Sequence, residues 1–291
     1  MIRTVAIHAR TLSEESIPHF QSLLKYLKEK GVSIHFSQRF VVDNPDISAT
    51  PLAPFNEITN DFQPDILFSL GGDGTILDAI TLIGRFETPI LGINMGRLGF
   101  LATIAKDTLK HTLDLLFANK YHLDRRTMVS LQADTPLFDG KAFALNEFSI
   151  LRKDTSSMIV AKTFLNGEYL NTYWADGLMV STPTGSTGYS LSCGGPIILP
   201  HTHNFVITPV SPHNLNIRPL IVPDTSELAF EVESRHGDYL VSLDSRSQTV
   251  EANTRLTIVK AGFSANLIRI EGDNFIETLR NKLSWGLDKR N

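Results

Sequence analysis

Asp73 stands in the stretch Leu70-Gly71-Gly72-Asp73-Gly74-Thr75, between an apolar run from Asp65 to Leu70 and an apolar-periodic segment opening near Thr75. Such a pattern predicts a buried strand, a loop without side-chain bulk and a helix start. Backbone N–H groups and the positive end of a helix dipole then converge on one spot, which suits phosphate. A carboxylate there repels phosphate unless it takes part in proton transfer or metal binding. As a general base, or as a group orienting an attacking hydroxyl, Asp73 would act as acids do in kinases. Asp at a helix start is also a plain cap worth about 0.5–2 kcal/mol, and these residues alone leave both readings open. The loop has no P-loop lysine and does not fit G-x-G-x-x-G closely, so neither standard nucleotide fingerprint applies.

Three further stretches carry polar chemistry. Asn146-Glu147 is a polar pair among Phe143, Leu145, Phe148 and Ile150. A carboxylate accepts from both hydroxyls of a ribose and an amide both donates and accepts, whereas an exposed edge pair is the plain alternative. In a straight strand the two would face opposite sides, so either the strand bulges or only one meets a given site. Asp176-Gly177 offers another ribose or amide acceptor, although the dipeptide by itself favours a simple turn. Thr182-Pro183-Thr184-Gly185-Ser186-Thr187-Gly188-Tyr189-Ser190-Leu191-Ser192 crowds hydroxyls among small residues directly after a β-type run. A strand, a glycine turn and a Ser/Thr-rich helix start make a second anion- or ribose-facing surface, with Tyr189 adding a ring face or hydroxyl. Cys193 reads as a small packed residue rather than a reactive thiol. Phe100, in the glycine-punctuated stretch Gly92–Leu101, either stacks on a planar ligand or packs beneath its loop.

The elements that must position these residues fall into two textures. Strand-like runs at Thr4–Ala9, Val32–Phe36, Asp65–Leu70 and Pro89–Asn94 alternate with helical spacing from Ser13 to Gly31, from Thr75 to about Arg85 and from Lys106 to Asn119. Short connections between them argue for an open parallel α/β sheet, with ligands at the carboxyl ends of its strands. The proline-interrupted stretch Asp43–Phe62 reads as loop plus a short helix. After Tyr121 the pattern becomes mostly β, with runs from Thr127–Ala133 to Leu267–Ile270 and only Thr187–Ser192 helical. Asn166-Gly167 between two such runs predicts a hairpin with positive φ at both residues. A last helical segment, Asn274–Trp285, is expected to return to the first domain. The division is therefore an α/β domain over residues 1–121 plus about 272–291, and a β-rich, sandwich-like domain over 122–271.

Composition narrows the function classes. A formal net charge of −4 with no long Lys/Arg run argues against binding duplex nucleic acid. No run of about 18 apolar residues is present for a bilayer, and the N-terminal apolar stretch is too short for a signal peptide. One cysteine excludes an internal disulfide, so a cytoplasmic protein is expected.

Taken in order, Gly-Gly-Asp-Gly-Thr, Asn146-Glu147, Asp176-Gly177 and Thr182–Ser190 resemble the NAD kinase family over roughly residues 65 to 250. The first motif is shared with lipid kinases of the diacylglycerol and sphingosine type, and the last is far more specific. The resemblance implies ATP-dependent phosphorylation of the adenosine 2′-hydroxyl of NAD to give NADP, with a divalent metal, Mg²⁺ being expected. Some members use inorganic polyphosphate, and homodimers or homotetramers are usual. It implies that Asp73 is the base, and that Asp73, Gly74, Asn146, Glu147, Asp176, Thr187, Gly188, Tyr189, Ser190, Leu191 and Ser192 contact the dinucleotide. Two departures stand out. Gly188 replaces a more usual alanine, and in Ser242-Leu243-Asp244-Ser245-Arg246 an arginine stands where Asp-Gly-Gln is frequent. A non-catalytic NAD(P)-sensing module is the alternative from another class. A lipid kinase would leave residues 182–196 without a role.

Overall fold

The computed structural model describes residues 2–45, 54–96, 98–153, 157–270 and 274–284. The chain divides into two units, Met1–Arg125 with Ala265–Asn291, and Arg126–Ser264.

The first unit is built on β1 (Thr4–Ala9), β2 (Ser33–Phe36), β3 (Ile66–Leu70), β4 (Ile90–Asn94), β5 (Ile104–Ala105) and β6 (Tyr121–Arg126). Its helices in this part of the chain are α1 (Ile17–Glu29), α2 (Gln38–Asp43), α3 (Asp73–Ile83) and α4 (Leu109–Phe117). Strands β1, β3 and β4 are almost wholly buried, as expected for parallel strands with both faces covered. Helix α1 buries Phe20, Leu23 and Leu27, and each such side chain contributes about 1.5–3 kcal/mol through burial. The short helix expected within Asp43–Phe62 lies earlier, at α2, where Ser37 accepts from the Phe40 N–H as an N-cap. Residues 46–53 of that stretch lie outside the described residues.

The second unit holds β7 (Val129–Ala133), β8 (Phe143–Ala144), β9 (Glu147–Leu151), β10 (Ile159–Leu165), β11 (Glu168–Ala175), β12 (Gly177–Ser181), α5 (Tyr189–Ser192), β13 (Asn204–Val210) and β14 (Leu220–Pro223). It continues with β15 (Leu228–Glu233), β16 (Asp238–Leu243), β17 (Arg246–Glu251) and β18 (Leu256–Lys260). Two antiparallel six-stranded sheets result, β11-β10-β15-β18-β7-β8 and β14-β13-β12-β9-β16-β17. One continuous core joins them, with Phe148 of β9 facing Phe230 of β15 at 5.6 Å between ring centroids. The hairpin at Asn166-Gly167 forms as expected, with φ of 52° and 83°.

β19 (Ala265–Ile270) then re-enters the first unit's sheet, whose order is β2-β1-β3-β4-β19-β6 with β5 on β4. The boundaries expected at 121/122 and 271/272 thus move to 125/126 and 264/265. All six residues of β19 are buried, the mark of a central strand of a covered parallel sheet rather than of a half-solvated sandwich strand. Helix α6 (Phe275–Leu283) follows and touches the first unit through Phe275, whose ring lies 6.3 Å from that of Phe100. No helix among the described residues is long and apolar enough to cross a membrane.

Candidate functional site

In the first unit, β3 delivers the chain to Gly71, which has φ of +153° and so little room that a Cβ would meet Thr75 Oγ1 at 2.2 Å. Gly72, in extended backbone, is the N-cap of α3, and Asp73 is the first helical residue. Asp73 does not cap the helix. Its carboxylate instead reaches the loop after β4, where Oδ2 accepts from the Phe100 N–H at 2.8 Å and Oδ1 from those of Leu101 and Ala102 at 3.0 Å each. Gly99 is required by this approach, because a Cβ there would lie 1.8 Å from Oδ1. Oδ2 holds one donor where a carboxylate oxygen has room for two, so it can still accept from a hydroxyl. Phe100, one of the donors, rests against Phe275 as well.

Two groups brace this loop. Arg269 of β19 is buried and donates to Leu101 O at 3.0 Å and to Thr103 Oγ1 at 2.8 Å, while its Nε pairs with buried Asp124 at 3.0 Å. Arg10, following β1, binds Asp78 of α3 through Nε at 2.6 Å and lays its outer nitrogens about the Gly74 position. Burial opposes the Asp78 charge, but His8, whose Nε2 lies 3.9 Å away, and hydrogen-bonded Arg10 outweigh it and hold its pKa at about 2. Gly74 itself is only half-covered.

In the second unit, the two acidic pairs mark places where the chain passes from one sheet to the other. The strand read through Ala142–Leu151 breaks at Leu145-Asn146, between β8 in one sheet and β9 in the other. Asp176 lies between β11 and β12, again in different sheets, so Asp176-Gly177 is a sheet crossing and not a hairpin turn. Gly177 is forced by closeness, since a Cβ would meet Ile150 O at 2.6 Å. The Asp176 carboxylate pairs with Arg152 Nε at 3.2 Å. Gly177 is opposite Leu151 and Ser181 opposite Glu147, so Asp176 and Glu147 bracket this strand pair, roughly 16 Å apart along it.

The break at 145–146 is held by Asp244, a residue that motif reading had not placed in a site. Its half-buried carboxylate accepts from the N–H groups of Leu145 (2.9 Å), Asn146 (2.7 Å) and Glu147 (3.3 Å). Burial pushes its pKa up, and those three donors and nearby Arg246 offset only part of that rise. Glu147 has no such help. Its Oε2 is shielded from solvent without a hydrogen-bond partner, and burial followed by repulsion from Asp244 raises its pKa to about 8.

Arg246 turns to the protein. Its guanidinium donates to Lys141 O at 2.6 Å and to Phe143 O, between the rings of Phe138 and Phe143 at 5.6 and 5.4 Å. Arg246→Gln should therefore cost about 1–3 kcal/mol, read as a lowered unfolding temperature, with turnover of the folded enzyme within about threefold of native.

The 182–192 loop closes over this strand pair. Thr182 donates to Leu145 O at 2.6 Å and accepts from Gly185 N–H at 3.1 Å, and a Cβ on Gly185 would strike Asn146 O at 2.0 Å. Ser186 bonds Pro183 O and Ile198 N–H, and Arg126, also missed from sequence, donates to Thr184 Oγ1 at 3.2 Å. The hydroxyl surface expected here is thus partly inverted. Ser190 is fully buried, its hydroxyl paired with that of Thr208 at 2.9 Å. Gly188, Tyr189 and Ser192 are exposed, and Thr187 and Leu191 half-exposed. Tyr189 is hydrogen-bonded to Cys193, and burial first of all raises both their pKa values. A Cβ at Gly188, where alanine is more usual, would sit 3.5 Å from Glu147 Oε2.

Comparison with known proteins bears on both units. Residues 5–121 match the family described as ATP-NAD kinase N-terminal domain, and residues 145–270 the ATP-NAD kinase C-terminal domain. An NAD kinase of Cytophaga hutchinsonii is 47% identical over 289 residues, covering 98% of this chain and 99% of its own. One from Flavobacterium psychrophilum is 45% identical, covering 99% of both. Among solved structures, an Archaeoglobus fulgidus NAD kinase in complex with ATP superposes with a TM-score of 0.77 at 25% identity, over 97% of this chain and 98% of that one. Yeast NADH kinase complexed with NADH shares the fold, with a TM-score of 0.85 at 22% identity, over 99% of this chain and 89% of that one. With both domains matched in order and full-length relatives well above a third identical, the chain belongs to the NAD kinase family and is an NAD-phosphorylating enzyme.

Proposed function

We propose that the enzyme moves the terminal phosphoryl group of ATP to the adenosine 2′-hydroxyl of NAD, with Asp73 as general base. The observation that supports this most is the Asp73 carboxylate, fixed by three amide donors at the start of α3 and left with an open acceptor position on Oδ2. Held so, it aligns a hydroxyl for in-line attack and takes its proton as the new O–P bond forms and the bond from the terminal phosphorus to the ADP oxygen breaks. The Gly71–Gly74 backbone brings the start of α3 close to the donor phosphates without side-chain obstruction.

In this reading the dinucleotide meets Asn146, Glu147, Asp176 and the 187–192 segment, through backbone alone at Ser190. Tyr189 presents its ring, and Asp176, oriented by Arg152, presents an acceptor. A divalent metal fits as an ion carried on the donor phosphates. Among the described residues no group of three His, Cys, Asp or Glu side chains could hold one, and Mg²⁺ commonly binds through substrate phosphates and water. It would neutralise developing phosphate charge when bound. A homodimer or homotetramer in the cytoplasm completes the proposal.

The test is purified protein with NAD and Mg²⁺, given ATP or inorganic polyphosphate and scored for NADP. NADP formed with ATP is expected. Product only with polyphosphate would overturn the donor assignment, and phosphate on another hydroxyl would overturn the acceptor.

A further inference from the structure

We propose that Glu147 meets the dinucleotide as a neutral carboxylic acid, donating a hydrogen bond to an acceptor on the ligand while Asp244 keeps the negative charge of the pair. This rests on the reading that the Asn146–Glu147 segment contacts NAD.

The geometry separates the two acids. Asp244 sits at the β16–β17 turn with three amide donors on its carboxylate, the arrangement that stabilises an ionised group. Glu147 Oε2 is removed from water and has no donor. Among the described residues of its unit, the charged and titratable groups facing Glu147 give it no cation. From the β16–β17 turn comes Asp244, whose charge repels it. From α5 and its C-cap come Tyr189 and Cys193, hydrogen-bonded to each other and neither of them a cation. The nearby guanidinium of Arg246 is spent on the carbonyls of Lys141 and Phe143, and its attraction acts on Asp244. A carboxyl with one oxygen sealed from water without a donor, and a like charge beside it, holds its proton.

A neutral acid also suits the ligand. NAD and the phosphoryl donor are both anionic, so a second buried negative charge would oppose them. A carboxyl O–H can donate to a ribose or carboxamide oxygen, which a carboxylate cannot.

The proton sets a direction with pH. Raising pH through about 8 removes it and with it the donated bond, so affinity falls in alkaline solution. The experiment is the NAD dissociation constant from pH 6.5 to 9.5 for the native enzyme, Glu147→Gln and Glu147→Ala. Native affinity should be level to about pH 7.5 and about tenfold weaker near pH 9. Glu147→Gln, which donates at every pH, should bind within about threefold of native at pH 7 and show no alkaline loss, whereas Glu147→Ala should be weaker throughout. Retention of the alkaline break in Glu147→Gln would assign it to Cys193 or Tyr189 and overturn the proposal. A level native curve, with Glu147→Gln as weak as Glu147→Ala, would make Glu147 an ionised acceptor and also overturn it. If both variants bind as the native enzyme does, the contact itself is wrong, and the proposal falls with its premise.

Discussion

Asp73→Asn should lower turnover by about 10²–10⁴-fold while leaving the NAD dissociation constant within about threefold of native. The amide is isosteric, and its oxygen can keep the bonds from Leu101 and Ala102 that Oδ1 accepts. Its NH₂ would face the Phe100 N–H, losing that single bond. The fold should survive at a cost of about 1–3 kcal/mol. Lost in full is the lone pair on Oδ2 that accepts the hydroxyl proton. Circular dichroism, NAD titration and steady-state NADP formation separate the three effects. Turnover within tenfold of native would remove Asp73 from the proton-transfer role and leave it as the anchor of the 100–102 loop.

The second large effect is expected at Asp244. Replacing it with alanine leaves the N–H groups of Leu145, Asn146 and Glu147 without their acceptor at the point where the chain changes sheets. One unsatisfied donor costs about 1–3 kcal/mol, and relaxation makes three less than additive. A total near 4 kcal/mol, or a fall of about 10 °C in the unfolding temperature, is the expectation. Because the 182–185 turn hangs on Leu145 O and Asn146 O, the same change should raise KM for NAD by at least tenfold with a smaller effect on kcat. Asp244→Asn, which keeps one acceptor oxygen, should restore part of both. An unfolding temperature within 2 °C of native together with an unchanged KM would show that the segment holds its shape without Asp244.

Local chemistry made much of this protein legible in its residues. The strand–glycine loop–helix at 66–83 and the Asn166-Gly167 hairpin follow from short-range sterics, hydrophobic period and the need for positive φ. The two-texture division likewise shows in the change from helical to alternating spacing near Tyr121. Edge strands β6, β14 and β17 were not legible as strands, because an edge exposes much of its length and its residues read as loop.

Only the tertiary structure decided the rest. It moved β19 into the first sheet, since sheet membership depends on which neighbour supplies the hydrogen bonds, and a buried apolar run suits either domain. It turned Ser190 inward and settled the cap question at Asp73. The donors to Asp73 come from residues 100–102, and those to Asp244 from 145–147. Both carboxylates look alike in a sequence, as acids beside glycine or serine. What separates an open acceptor, a half-buried anchor and a protonated neighbour such as Glu147 is the count of donors brought to each by distant backbone, and no spacing along the chain records that count.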